Sequence, residues 1–233
     1  MCEVVYEDNH LLVVVKPPNL LTQADHTGDA DLLTRMKSYI KEKYQKPGDV
    51  YLGLVHRMDR PVGGLICLAR TSKAAARLSA QVSTHAMGRE YLAVVESSLP
   101  ESGTLTDWLL KDMQANKVAV VPEGTPGAQK AVLQYTCLAR REGFSLCHIR
   151  LQTGRSHQIR VQFCNAGNPL WGDNRYGQGR PGQQIALWGA KLTLVHPTLG
   201  QEMVFYSLPK GEPWTHYQRE IAVFPETKGA FDE

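Results

Sequence analysis

Apolar residues fall along the chain in two kinds of grouping, short continuous runs and runs at helical spacing. Leu11-Leu-Val-Val-Val15 is unbroken and largely β-branched, and Lys16-Pro17-Pro18 stops it, which predicts a buried strand with a hard end. Leu32, Leu33, Met36, Ile40 and Tyr44 then recur at helical spacing, with Asp29 or Asp31 to cap the first turn and Pro47-Gly48 to stop the last. A strand over residues 65–69 comes next, and Thr71 or Ser72 caps a second helix with a narrow apolar face of Ala74, Ala75, Leu78 and Val82. Gly88 releases the chain into a strand over residues 90–95. Between Pro100 and Gly127 the periodicity fades and turn formers increase, so the one element expected there is a short strand near residues 118–121.

From Ala131 the pattern turns to strands. Residues 131–139 and 144–151 flank a turn at 140–143 and predict a hairpin, in which alternation leaves His148 and Arg150 on one face. Thr153-Gly154 breaks the second strand, and a short helix is expected over 156–165, ended by Gly167. A Gly-rich, aromatic loop (168–182) leads to two more strands, 185–195 and 202–208, joined through His196-Pro-Thr-Leu-Gly200. Residues 209–233 have a mixed composition that suits a surface wrap or a frayed end. With no repeat and no long linker, the pattern predicts one α+β domain over 1–233, a mixed, mainly antiparallel sheet with flanking helices and loops. Its core spans about 4–209, with 210–233 as a C-terminal extension.

A chain of 233 residues that is 42% hydrophobic can bury a sizeable core. The net charge of +3 is too small to diagnose a polyanion ligand, but its distribution is uneven. Residues 129–180 carry eight basic side chains against Glu142 and Asp173, and residues 51–91 carry six against Asp59 and Glu90. A fold that joined these segments would present a polyanion-binding face; ordinary solvated surface is the alternative, and charge alone does not choose. The five cysteines form no CxxC pair, and four lie in apolar or strand-like contexts, as reduced core thiols do. With no signal peptide and no apolar run of membrane-spanning length, the expected compartment is the cytosol and no membrane partner is expected.

The stretch Gly53-Leu-Val-His-Arg-Met-Asp-Arg-Pro-Val-Gly-Gly64 places Asp59 between Arg57 and Arg60 in a turn shaped by Pro61, Gly63 and Gly64. A carboxylate so flanked stays ionised, which suits a nucleophile, an electrostatic group or a salt-bridge anchor rather than a general acid. A second constellation, Leu151-Gln-Thr-Gly-Arg-Ser-His-Gln-Ile-Arg-Val161, gathers Arg155, His157 and Arg160 at a strand-to-helix break. There Arg160 can reach inward to a carboxylate while Arg155 stays available for phosphate; a surface capping cluster is the bland alternative. The eight histidines show no metal-ligand spacing, and there is no Walker loop, GxGxxG or GxSxG. No metal and no cofactor are therefore expected. A lone ionised Asp, several arginines and Tyr91 suit chemistry on a nucleobase held in a pocket, with a stacking ring and cations for the flanking phosphates.

His56-Arg-Met-Asp-Arg60 followed by Gly63-Gly64 resembles the HRLD motif of the RluA-type pseudouridine synthases, which isomerise uridine in ribosomal and transfer RNA. Three more stretches agree in order: Leu11 to Pro17 with the family's opening strand ending in Lys-Pro, Arg89-Glu-Tyr91 with Lys/Arg-x-Tyr, and Gly154-Arg-Ser-His-Gln-Ile-Arg160 with GRxHQxR. The Gly167–Asp173 loop and Val195-His-Pro197 also fit, so that the likeness covers about residues 4–209. It implies that Asp59 is the essential catalytic aspartate and that Tyr91 stacks beneath the flipped-in base. It further implies that Arg160 pairs with the catalytic carboxylate and that Arg57 holds or replaces the flipped nucleotide. His56, Arg60, Arg155 and His157 are assigned to substrate binding, with Ile159 and Leu187 lining the pocket. The expected partner is ribosomal or transfer RNA, and the protein is expected to be a monomer.

Departures from the family pattern are Met58 for the usual Leu and Pro61-Val62-Gly63-Gly64 where many relatives have Thr-Ser-Gly. The pattern opens within ten residues of Met1, so the N-terminal S4 domain of many relatives is not expected and RNA recognition falls to the catalytic domain. Two rivals remain: an RNA-binding protein that has kept the fold, and a nucleoside hydrolase that would release free base. Only a synthase loses activity with intact affinity when Asp59 becomes Asn and retains the base in its product.

Overall fold

A computed structural model describes residues 2–97 and 99–226. In chain order its elements are β1 (Glu3–Glu7), β2 (Leu11–Lys16), α1 (Leu32–Lys43), β3 (Gly53–Leu54), β4 (Gly63–Ala69), α2 (Ser72–Ser83) and β5 (Gly88–Val95). There follow β6 (Ser102–Asp112), β7 (Lys117–Val121), β8 (Gln129–Arg141), β9 (Phe144–Leu151), α3 (Gln158–Asn165), β10 (Leu187–Val195), β11 (Glu202–Tyr206), a 3-10 turn (Trp214–Tyr217) and α4 (Gln218–Val223). The architecture is α+β, a mixed and mainly antiparallel sheet with flanking helices, as the apolar pattern predicts. Among the described residues no helix is long and apolar enough to cross a membrane.

The chain forms two compact units. The first comprises residues 2–88 and 189–207, with strand order β1-β2-β4-β10, β3 pairing β4 and β11 pairing β10. β2 and β4 are buried along their whole lengths and pair antiparallel from Leu11↔Ala69 to Lys16↔Gly64, so the Lys16–Gly64 end of that ladder adjoins the Asp59 turn. Leu32, Met36 and Ile40 of α1 and Ala74 and Leu78 of α2 are buried. Asp31 caps α1 by accepting from the Thr34 amide, and Thr71 caps α2 by accepting from Ala74, so each predicted alternative resolves to one residue.

The second unit comprises residues 89–188 and 208–226, with strand order β5-β9-β8-β6-β7, all antiparallel. It corrects three expectations. β6 is an 11-residue strand in the segment read as turn-rich, and only Leu109 in it is fully buried. Its ladders to β7 and β8, rather than an apolar run, make it a strand. Second, α3 begins at Gln158 rather than Ser156, because His157 takes a left-handed conformation (φ 53°) and interrupts the turn. Third, the segment after Pro209 is packed: Trp214, Tyr217, Ile221 and Phe224 are buried, with Phe224 edge-on to His148 at 4.8 Å and Arg141 paired with Glu220 at 2.7 Å. All five cysteines are free thiols, Cys2, Cys67 and Cys147 buried and Cys137 and Cys164 half-buried.

Candidate active site

The residues singled out by sequence divide between the units: His56, Arg57, Asp59 and Arg60 in the first, Tyr91, Arg155, His157, Ile159, Arg160 and Leu187 in the second. Each group has its own supports.

Three anchors shape the Asp59 turn. The Val62 amide donates to the Asp59 carbonyl at 3.1 Å. Thr22 clamps the neighbouring residue, its Oγ1 donating to the Met58 carbonyl (2.8 Å) and accepting from the Met58 amide (3.3 Å), so buried Met58 fixes the strand side of the turn. Lys16, fully buried at the end of β2, donates from Nζ to the carbonyls of Arg60 (3.0 Å), Leu20 (2.8 Å) and Pro17 (3.1 Å). Burial pulls the Lys16 ammonium down to about 7, against opposing pulls from Asp59 and Cys2. Lys16 and Thr22 were missed as site supports; the Lys-Pro stop after an apolar strand was the available signal for the first.

Within this frame Asp59 is half-buried and Arg57 exposed. Arg60 is also exposed and turns its guanidinium to Asp29 (2.7 Å), so adjacency in sequence overstated its service to Asp59. His56 is buried, and its Nε2 accepts from the Cys67 amide at 3.1 Å, which ties the approach to the turn onto β4 and makes the ring a positioning group. Gly64 lies in the left-handed half of the map (φ +127°), and a Cβ there would stand 2.4 Å from the Gly189 amide nitrogen and carbonyl oxygen. The turn can close on β10 only with glycine at this position.

In the second unit Tyr91 is buried on β5 opposite Ile149 of β9. Its neighbour Glu90, also buried, meets His148 Nε2 at 2.6 Å and Arg150 at 3.4 Å, which accounts for those two residues sharing a face. Gln158 organises the loop before α3: its Oε1 accepts from Thr153 Oγ1 (2.8 Å) and the Arg155 amide (3.0 Å), and its Nε2 donates to the Val132 carbonyl (3.1 Å). Arg155 is exposed, with Nε donating to the Lys130 carbonyl at 3.0 Å. Ile159 and Leu187 are buried.

Arg160 does reach a carboxylate, that of Asp173: Nε to Oδ2 is 2.8 Å and Nη2 to Oδ1 is 2.7 Å. Asp173 Oδ1 also accepts from the amides of Arg175 and Tyr176. Burial pushes the Asp173 carboxyl up, but Arg160 and the two amides outweigh it and hold it below its ordinary value. Tyr176 covers the guanidinium face (5.2 Å to the ring centroid), meets His157 Nδ1 through Oη at 2.6 Å, and accepts from the Val118 amide at 2.9 Å. Sequence assigned no role to either Asp173 or Tyr176: Asp173 closes the Gly167–Asp173 loop that fits the family, but nothing in the pattern says that this loop returns to Arg160.

This mixed, mainly antiparallel sheet with its flanking helices is the pseudouridine synthase fold. The sequence profile of the RNA pseudouridylate synthases matches residues 10–165, and the chain belongs to that family of isomerases, in its RluA-type branch. It is 33% identical over 216 residues to the ribosomal large subunit pseudouridine synthase D of Zymomonas mobilis, covering 87% of this chain and 68% of that protein. It is 32% identical over 207 residues to an uncharacterised RNA pseudouridine synthase of Bacillus subtilis, covering 87% and 67%. The chain thus spans about two thirds of the length of these relatives. Among solved structures, human RNA pseudouridylate synthase domain containing 4 superposes with a TM-score of 0.76 at 20% identity, over 94% of this chain and 93% of that one, a likeness of fold.

Proposed function

We propose that this protein converts uridine to pseudouridine in ribosomal or transfer RNA, with Asp59 as the essential carboxylate acting on a uridine flipped out of its stack. Tyr91 supplies the ring beneath the base, Arg160 the cation for the carboxylate, and Arg57, Arg155 and His157 contacts to the nucleotide and its phosphates. His56 and Arg60 shape the turn. The net reaction breaks the N1–C1′ bond, turns the uracil and joins C5 to C1′; C5 loses its proton and N1 gains one, so atoms balance without a co-reactant. Unstacking the base costs a few kcal/mol, which phosphate contacts and stacking on an aromatic ring offset.

The observation that carries this reading is the investment in Asp59. Lys16, Thr22 and the Val62 amide each fix the backbone around a single half-buried carboxylate. A protein that only gripped RNA would gain nothing from a rigid anion facing a polyanion. The test is pseudouridine mapping of ribosomal and transfer RNA from cells with and without the gene, complemented by wild type or Asp59→Ala. Loss of particular sites restored by wild type alone supports the proposal. Purified protein that binds RNA but leaves uridine intact, or releases free uracil, sinks it in favour of a binder or a hydrolase.

A further inference from the structure

Among the described residues four arginines are not exposed: Arg70, Arg89, Arg150 and Arg160. Three are held by carboxylates, Arg70 by Glu7 (3.0 Å), Arg150 by Glu90 (3.4 Å) and Arg160 by Asp173 (2.7 Å). Arg89 has no carboxylate or carbonyl partner among the described residues, and its Nε is shielded from solvent with no acceptor. A half-buried guanidinium is retained without an anion at a cost in stability, so an isolated one in an enzyme calls for an explanation.

Its surroundings supply one. The guanidinium lies against Gly154, where a Cβ would stand 2.6 Å from Nη1 and 3.0 Å from Nη2. Gly154 carries no left-handed φ, so its missing side chain serves space rather than backbone geometry. Arg155 follows at once, exposed, and its Nε reaches the backbone of exposed Lys130 at 3.0 Å. Arg89 also stands two residues before Tyr91 on β5.

Resting on the reading of RNA as substrate, we propose that Arg89 is a phosphate ligand, pairing with a backbone phosphodiester of the bound RNA over the bare surface of Gly154. A planar guanidinium matches the two non-bridging oxygens of a phosphodiester, and Arg155 and Lys130 extend the positive surface for the adjoining strand.

The experiment compares wild type, Arg89→Gln, Arg89→Lys and Gly154→Ala. The probe is ribosomal and transfer RNA from cells lacking the gene, labelled with tritium at uracil C5. Dissociation constants are measured across a potassium chloride series, tritium release at saturating RNA reports turnover, and thermal melting reports the fold. Arg89→Gln is expected to weaken binding about tenfold and to lower the slope of log K against log salt by about one, the signature of one lost phosphate contact. Binding falls more than turnover at saturation, and the melting temperature does not drop, because the guanidinium removed had no partner. Gly154→Ala displaces the guanidinium and gives the same salt signature, and the double variant adds nothing further. Arg89→Lys recovers part of the affinity as a point charge.

An unchanged salt slope in an active, RNA-binding protein overturns the assignment of Arg89 alone, as does a lowered melting temperature with wild-type binding. Wild-type protein that neither binds this RNA nor releases tritium overturns the functional reading and this inference with it.

Discussion

Arg160 and Asp173 form a two-pronged pair with both side chains buried, 5% and 1% exposed, and two loop amides complete the carboxylate's bonding. The pair sets the plane of a guanidinium while Tyr176 sets its face, so a loop thirteen residues downstream fixes the arginine on α3 that carries the proposed catalytic role.

Removing one partner of such a pair strands the other charge in a low-dielectric site, which costs about 3–5 kcal/mol. Asp173→Ala is expected to lower the melting temperature by roughly 10 °C and to abolish turnover, with Asp173→Asn intermediate in stability. The Asp173 carboxyl is held below its ordinary value, so its contribution is present above about pH 4 and is lost as pH falls through the folded-state value. Acid melts of wild type should therefore steepen below about pH 4, and those of Asp173→Asn should steepen less.

Gly64→Ala forces a Cβ into the Gly189 backbone at 2.4 Å with φ at +127°. Overpacking and left-handed strain together cost about 3 kcal/mol or more. Chemical denaturation should show that loss, whereas Gly48→Ala, with open space around it and no left-handed φ, should stay within about 0.5 kcal/mol of wild type. Equal midpoints for the two variants would remove the close approach as the reason for glycine.

Much of this was legible in the sequence, and the failures have physical causes. Strands β2 and β4 announced themselves because a strand buried on both faces is a continuous apolar run, and α1 because its three buried residues recur at helical spacing. β6 was invisible because its alternation sets threonines and charges against half-buried residues. Motif spacing brought Asp59, Tyr91 and Arg160 forward together. It did not give the roles of Asp173, Tyr176 or the buried Lys16, which depend on which loop returns to which side chain.

The segment after Pro209 is structural in the second unit. Phe224, 3% exposed and edge-on to His148, should cost about 3–5 kcal/mol on truncation to Ala. Arg141→Ala breaks a pair in which the arginine is 40% exposed and screened by solvent, and should leave stability close to that of wild type. Hydrogen exchange on Phe224→Ala should show lost protection in β9; full protection would return this segment to the status of a surface wrap.

Lys16 supplies a pH dependence of the same sense as that of Asp173, in a higher pH window. Its ammonium is pulled to about 7 when folded and returns to its ordinary value near 10.5 when unfolded. Between those values the unfolded chain binds the proton and the folded one does not, so stability rises with pH across that window. Wild type should gain about 2–3 kcal/mol between pH 7 and pH 9 from this group, measured as the difference from Lys16→Met over the same range. The same titration acts on the Asp59 turn. The charged ammonium has three N–H donors for the carbonyls of Arg60, Leu20 and Pro17, and the neutral amine has two. Turnover should therefore step down as pH rises through about 7 while stability climbs, and Lys16→Met, which supplies no donor to Arg60, should be slow at every pH. A flat rate profile through that range in wild type would detach Lys16 from the geometry of Asp59 and leave it a buried anchor of β2.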